Sequence, residues 1–134
     1  MSKRNIMKKS LIMLCAAVLL GLAGTALGQE MKIGVAVQAP QEDALISPVA
    51  ARAPYFLIFD GQGVLLEALA NVAARAKGGA GQEAAELLHG LGVRVFVAGR
   101  VGGRMRAALE SHTIAIHEKT GVAHETVRTI ISER

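Results

Sequence analysis

The chain is poor in the residues that staple or decorate small domains. It has one cysteine, no tryptophan, one tyrosine, three phenylalanines and three prolines in 134 residues. A single Cys excludes a disulfide scaffold and a zinc ribbon, and 51% hydrophobic residues exclude a disordered tail. No acidic residue occurs before Glu30, so Lys3, Arg4, Lys8 and Lys9 carry the whole formal charge of +4. Without those four, the 15 basic side chains fall to 15 − 4 = 11, equal to the 11 acidic ones. A neutral remainder has no clustered Lys/Arg footprint, which argues against nucleic acid as a partner.

What is present begins with a leader. Met1–Lys9 is basic, Leu11–Leu22 is an uncharged apolar run, and small residues at Ala26 and Gly28 precede Gln29. This order predicts a signal peptide over residues 1–28, cleaved near Gly28, and an exported, periplasmic or secreted domain over residues 29–134. A retained membrane anchor is the rival reading, but the run is short for the roughly 20 apolar residues a bilayer core requires. Met31 is an alternative start, because MKIGVAV reads as a first strand. Cys15 lies in the leader without the small residue before it that lipidation needs, so the processed domain contains no thiolate ligand or nucleophile.

Along the domain, Lys32–Val37 (KIGVAV) is a β-branched apolar run. Tyr55–Phe59 and Val64–Ala70, joined by Asp60-Gly61-Gln62-Gly63, read as a hairpin. Gln38–Pro54 holds all three prolines and is long enough to suggest a functional or mobile loop. A helix is expected over Gln82–Leu91, with Ala84, Leu87, Leu88 and Leu91 on one stripe. Val93–Ala98 reads as a strand, Arg104–Ser111 as a helix with Met105, Ala108 and Leu109 inward, and Thr113–Ile116 as the last strand. Val122–Ser132 forms a final helix on Ala123, Val127 and Ile130. The order β, β-hairpin, α, β, α, β, α predicts an α/β fold with a mixed sheet, antiparallel early and parallel through right-handed crossovers late.

Standard catalytic signatures are missing: there is no G-x-x-x-x-G-K-[ST], no H-E-x-x-H and no G-x-S-x-G. A metal-dependent nuclease on this topology would need acidic residues converging from the first strand, and Lys32–Val37 has none. Two glycine clusters, Gly78-Gly79-Ala80-Gly81 and Gly99-Arg100-Val101-Gly102-Gly103, each precede a helix. Exposed N–H groups there suit an anion, although glycine is also the default residue of tight turns. Following neighbouring strands, both loops are expected to open on one end of the sheet, with Arg52, Arg100 and Arg104 adding positive charge. Of the four histidines His89, His112, His117 and His124, none has a recognised ligand spacing, and His112 with His117 is the pair expected to approach.

The runs MKIGVAV, SPVAARAPYFLIFD and GGAGQEAAELLHGLGVRVFVAGRVGGRMRAAL together resemble the dinitrogenase iron-molybdenum cofactor biosynthesis family of the NifX/NafY type, over Met31 to about Ile131. The resemblance is concentrated in Ser47-Pro48, Arg52-Ala53-Pro54-Tyr55-Phe56, Gly79-Ala80-Gly81 with Ala85-Glu86-Leu87-Leu88, and Ala98-Gly99 with Gly102. It implies an RNase H-like three-layer fold without nuclease activity: a mixed five-stranded sheet, its antiparallel hairpin portion N-terminal, with flanking helices. It also implies a non-enzymatic protein that binds, stores or delivers an iron-molybdenum or other metal-sulfur cluster. Many members read Ser-Pro-His-Phe-Gly-Arg-Ala where this chain reads Ser47-Pro48-Val49-Ala50-Ala51-Arg52-Ala53, so valine, which cannot coordinate metal, replaces a histidine implicated as a cluster ligand. Two functions follow: a carrier of a metal-sulfur cluster or small anion, or an interaction module that has lost the ligand. The expected binding residues are Ser47, Arg52, Gly79, Gly81, Arg100 and Gly102, with His112 and His117 as metal candidates. The domain is expected to be a monomer or weak homodimer that leaves the membrane once the leader is cut.

Overall fold

The computed structural model describes residues 31–134, and the expected leader, with its cleavage point, lies outside the described residues. Strand β1 (Lys32–Val37) is apolar on both faces and buried from Ile33 onward, which places it at the centre of the sheet. It pairs antiparallel with β2 (Tyr55–Phe59) and parallel with β4 (Val93–Ala98). Strand β3 (Leu65–Ala70) completes the hairpin with β2, and β5 (Ala115–Glu118) runs parallel to β4. The order β3-β2-β1-β4-β5 is the mixed five-stranded sheet expected from the sequence.

Side chains alternate across the sheet and divide the core in two. On one face Phe56, Ile58, Phe96 and Ala98 pack beneath α1 (Ala80–Gly90) and α2 (Gly103–Ser111). On the other, Ile33, Val35, Leu57, Phe59 and Val97 meet Ala123, Val127 and Ile130 of α3 (Ala123–Ser132). The rings of Phe56 and Phe96 meet edge to face with centroids 5.9 Å apart, a contact worth roughly 0.5–1.5 kcal/mol beyond its buried area. No described helix is long and apolar enough to cross a membrane.

Local chemistry fixes the connections. In the β2–β3 turn, the Asp60 carboxylate accepts hydrogen bonds from the Gln62 and Val64 N–H groups at 2.8 and 2.9 Å, and β3 begins one residue after the expected Val64. Helix α1 starts at Ala80, two residues before the expected Gln82, and its buried stripe is Ala80, Ala84, Ala85 and Leu88. The last strand occupies Ala115–Glu118 in place of the expected Thr113–Ile116. The cause is the end of α2, where Thr113 takes φ 60 while its N–H donates to Glu110 O and that of Ile114 donates to Leu109 O, both at 2.9 Å. These are the paired bonds of a Schellman stop, closed by the buried side chains of Leu109 and Ile114.

The proline-bearing connection is strapped to the sheet. Bridges pair Val37 with Ile46 and Leu45 with Val122, Ala44 and Ile46 are buried, and a 3-10 turn spans Ala50–Arg52. This segment therefore forms one wall of the structure beside the end of β4.

Candidate functional site: a cleft between two helix N-termini

Helices α1 and α2 lie side by side and point the same way. Near their starts Gly81 faces Met105, and near their ends the imidazoles of His89 and His112 stack with centroids 4.1 Å apart and planes 14° apart. Gly81 is what permits the close approach, because a Cβ there would sit 2.8 Å from Met105 Cβ and 3.1 Å from Met105 Cα and N. Glycine at this position is thus a packing device as well as part of a loop signal.

With both N-termini at one end, the helices frame a cleft of about 840 Å³. The first ladder bonds run from Glu83 N–H to Gly79 O and from Arg106 N–H to Gly102 O. The N–H groups of Ala80, Gly81 and Gln82, and of Gly103, Arg104 and Met105, therefore precede the intrahelical ladders. Neither Gly79, held at φ 71, nor Gly102 supplies a side-chain cap. Three cations, Arg52, Lys77 and Arg104, line the cleft against one carboxylate, Glu86. Its apolar surface comes from Val49, Ala51, Ala107 and Ala108, with Met105 buried behind the lining.

Four of the expected binding residues, Arg52, Gly79, Gly81 and Gly102, line this cleft together. The Arg52 guanidinium donates from one nitrogen to Ala74 O and Ala76 O, both at 2.8 Å, which anchors the head group on the 3-10 turn Val72–Arg75 and leaves its other N–H groups available. Ser47 and Arg100 fall outside the lining. Ser47 is buried, its N–H donates to Ala36 O at 2.7 Å and its carbonyl accepts from Gly99 N–H at 2.9 Å, so it ties the strap to β1 and β4. Gly99 is required there, since a Cβ would lie 2.8–3.0 Å from Pro48 Cα, Ser47 O and Pro48 O. The exposed Arg100 contributes its carbonyl, which accepts from Ala50 N–H at 2.9 Å.

The second glycine turn holds an anion of its own. Val101 N–H donates to the Glu118 carboxylate at 2.9 Å, and Arg106 pairs with the same carboxylate at 3.1 Å. Any external anion near α2 is thus left with the first-turn N–H groups. The expected approach of His112 to His117 is corrected: His112 stacks on His89, and His117 belongs to β5, outside the cleft. The parallel packing of α1 and α2 brings the helix ends together, and no spacing within either helix signals it. Lys77, Glu86 and Met105 were likewise missed as lining residues, although Lys77 directly precedes the first glycine pair.

Among the described residues no group of three or more His, Cys, Asp or Glu side chains is placed to hold a metal ion. The donor set therefore does not fit a cluster chelated by several protein ligands. It fits an anion held by N–H groups and cations.

A family model described as dinitrogenase iron-molybdenum cofactor matches residues 31–133, which is all but one of the described residues. The chain belongs to this family. No curated protein matches the chain. Among solved structures, the apo form of the orange protein from Desulfovibrio gigas is similar, with 26% identity, coverage of 77% of this chain and 88% of that one, and a TM-score of 0.72. A proposed NifB protein from Thermotoga matches at 23% identity over 77% and 88% of the two chains, with a TM-score of 0.65. A proposed dinitrogenase from Methanocaldococcus jannaschii shares the fold at 11% identity over 78% and 90%, with a TM-score of 0.55. Val49, where the resemblance leads to an expected histidine, is 45% exposed on the cleft wall.

Proposed function

We propose that the domain is a non-enzymatic carrier that holds an anionic metal-sulfur cluster, of the iron-molybdenum cofactor class, in the cleft between α1 and α2. The observation that carries this reading is the convergence of two uncapped helix N-termini with Arg52, Lys77 and Arg104 on a cleft that lacks a chelating trio. Each helix N-terminus presents roughly half a positive elementary charge. Adding three side-chain cations against the single Glu86 gives a strongly anion-seeking surface. Val49 and the accessible alanines Ala51, Ala107 and Ala108 offer apolar contact to sulfide faces. Binding then uses charge and hydrogen bonds without a protein–metal bond, and release requires no ligand exchange. The family match supports the class of cargo.

The carrier works outside the cytoplasm after loss of residues 1–28, a reading supported by the basic and apolar order of the leader. Iron, molybdenum and acid-labile sulfide are to be measured in the protein purified without oxygen from its exported fraction, together with the mass of its N-terminus. Near-stoichiometric metal and sulfide, lost in Arg52→Ala and Arg104→Ala, with a chain beginning near Gln29, is the expected result. Metal content unchanged in both variants would refute the site. A competing reading, a ligand-free interaction module, is favoured by Val49 alone, and a metal-free native protein would select it.

A further inference from the structure

We propose that His89 and His112 form a second site, for one borderline divalent transition-metal ion, at the end of the cleft opposite the helix N-termini. The two imidazoles come from different helices, and their centroids are 4.1 Å apart. Rings this close can each bring a nitrogen to about 2.0–2.1 Å from one shared ion once one of them turns out of the stack. In the stacked arrangement the nitrogen lone pairs lie in the two ring planes. Capture therefore requires one imidazole to turn about its side-chain bonds, which the exposed His89 can do without backbone movement.

The surroundings favour a cation. Because α1 and α2 run in the same direction, the negative ends of both helix dipoles meet where the histidines stand. Glu86, the carboxylate lining the cleft, sits one helical turn before His89, and the cleft's cations Arg52, Lys77 and Arg104 gather at the N-terminal end or on the facing wall, while Lys32 donates to the Leu91 carbonyl at 3.2 Å and takes up one of the carbonyls at the end of α1. Two imidazoles, with water completing the shell, match the preferences of Cu²⁺, Ni²⁺ and Zn²⁺, with Cu²⁺ the tightest. The cleft is thus polar along its length, with an anion end and a cation end. The cation site does not rest on the cluster reading and survives if that reading fails.

Cu²⁺ titration of the purified chain tests it, followed by calorimetry and electron paramagnetic resonance. One equivalent bound through two nitrogens is expected, with affinity at least tenfold weaker in His89→Gln and in His112→Gln and within twofold of the parent in His117→Gln and His124→Gln. Unchanged affinity in the first two variants, or an equal loss in either of the others, overturns the proposal. In the unsubstituted protein, substoichiometric Cu²⁺ should broaden the ring NMR signals of His89 and His112 before those of His117 and His124. The reverse order overturns it without any variant having to fold.

Discussion

Replacing Gly81 with alanine sets two effects of opposite sign against each other. Alanine inside a helix is ordinarily more stable than glycine by about 0.5–1 kcal/mol. Here the new methyl would lie 2.8 Å from Met105 Cβ and 3.1 Å from its Cα and N, well inside the 3.5–4.0 Å of a normal carbon contact. Two of those three atoms are backbone, so relief demands that α1 and α2 separate, and overpacking of this kind costs about 1–3 kcal/mol. The clash wins, and Gly81→Ala should lose about 1–2 kcal/mol, lowering Tm by roughly 4–8 °C per kcal/mol. Gly90→Ala in the same helix is the control, because nothing lies within 4 Å of its Cβ position, and it should gain about 0.5 kcal/mol. Urea unfolding followed by far-UV circular dichroism measures both. If Gly81→Ala were as stable as the parent with an unchanged denaturant slope, the close packing of α1 on α2 would be wrong.

Thr113→Gly should stabilise the domain by about 1 kcal/mol in the same assay, because a β-branched residue at φ 60 gives way to one without the steric penalty. Gly99→Ala should cost about 2–3 kcal/mol, more than Gly81→Ala, since the new Cβ meets only backbone atoms of Ser47 and Pro48. Glu118→Ala strips the acceptor from the buried Val101 N–H and should cost about 1 kcal/mol. Glu118→Gln keeps an acceptor and loses only the half-exposed pair with Arg106, so unfolding should place it within about 0.5 kcal/mol of the parent.

Hydrophobic period was enough to read the sheet and the buried faces of α2 and α3, because Val, Ile and Phe runs have few other places to go in a small domain. Boundaries failed where a residue acts against its local preference. Thr113 looks like a strand former and instead ends a helix in the left-handed region, which moves β5 two residues on. Gly81 looks like loop and is helix, because closeness to Met105 outweighs propensity. The glycine clusters and Arg52 line one cleft, whereas Ser47 and Arg100 lie outside that lining and instead wire the strap, because a resemblance or a place beside a glycine turn does not fix which way a residue faces. The pairing of His89 with His112 needed the relative direction of two helices, which only the packed structure supplies.

The central position of β1 also bears on how the domain assembles. The β2–β3 hairpin closes locally, an event of microseconds. β1 must wait for β4, since Lys32 pairs with Val93 across about 60 residues of intervening chain, and the ordering entropy of that closure precedes any reward from the contact. Until β4 arrives, a strand that is buried from Ile33 onward in the folded domain has a bare edge. The slow step of folding and the interval of greatest risk of aggregation are therefore the same event, the arrival of β4 at β1.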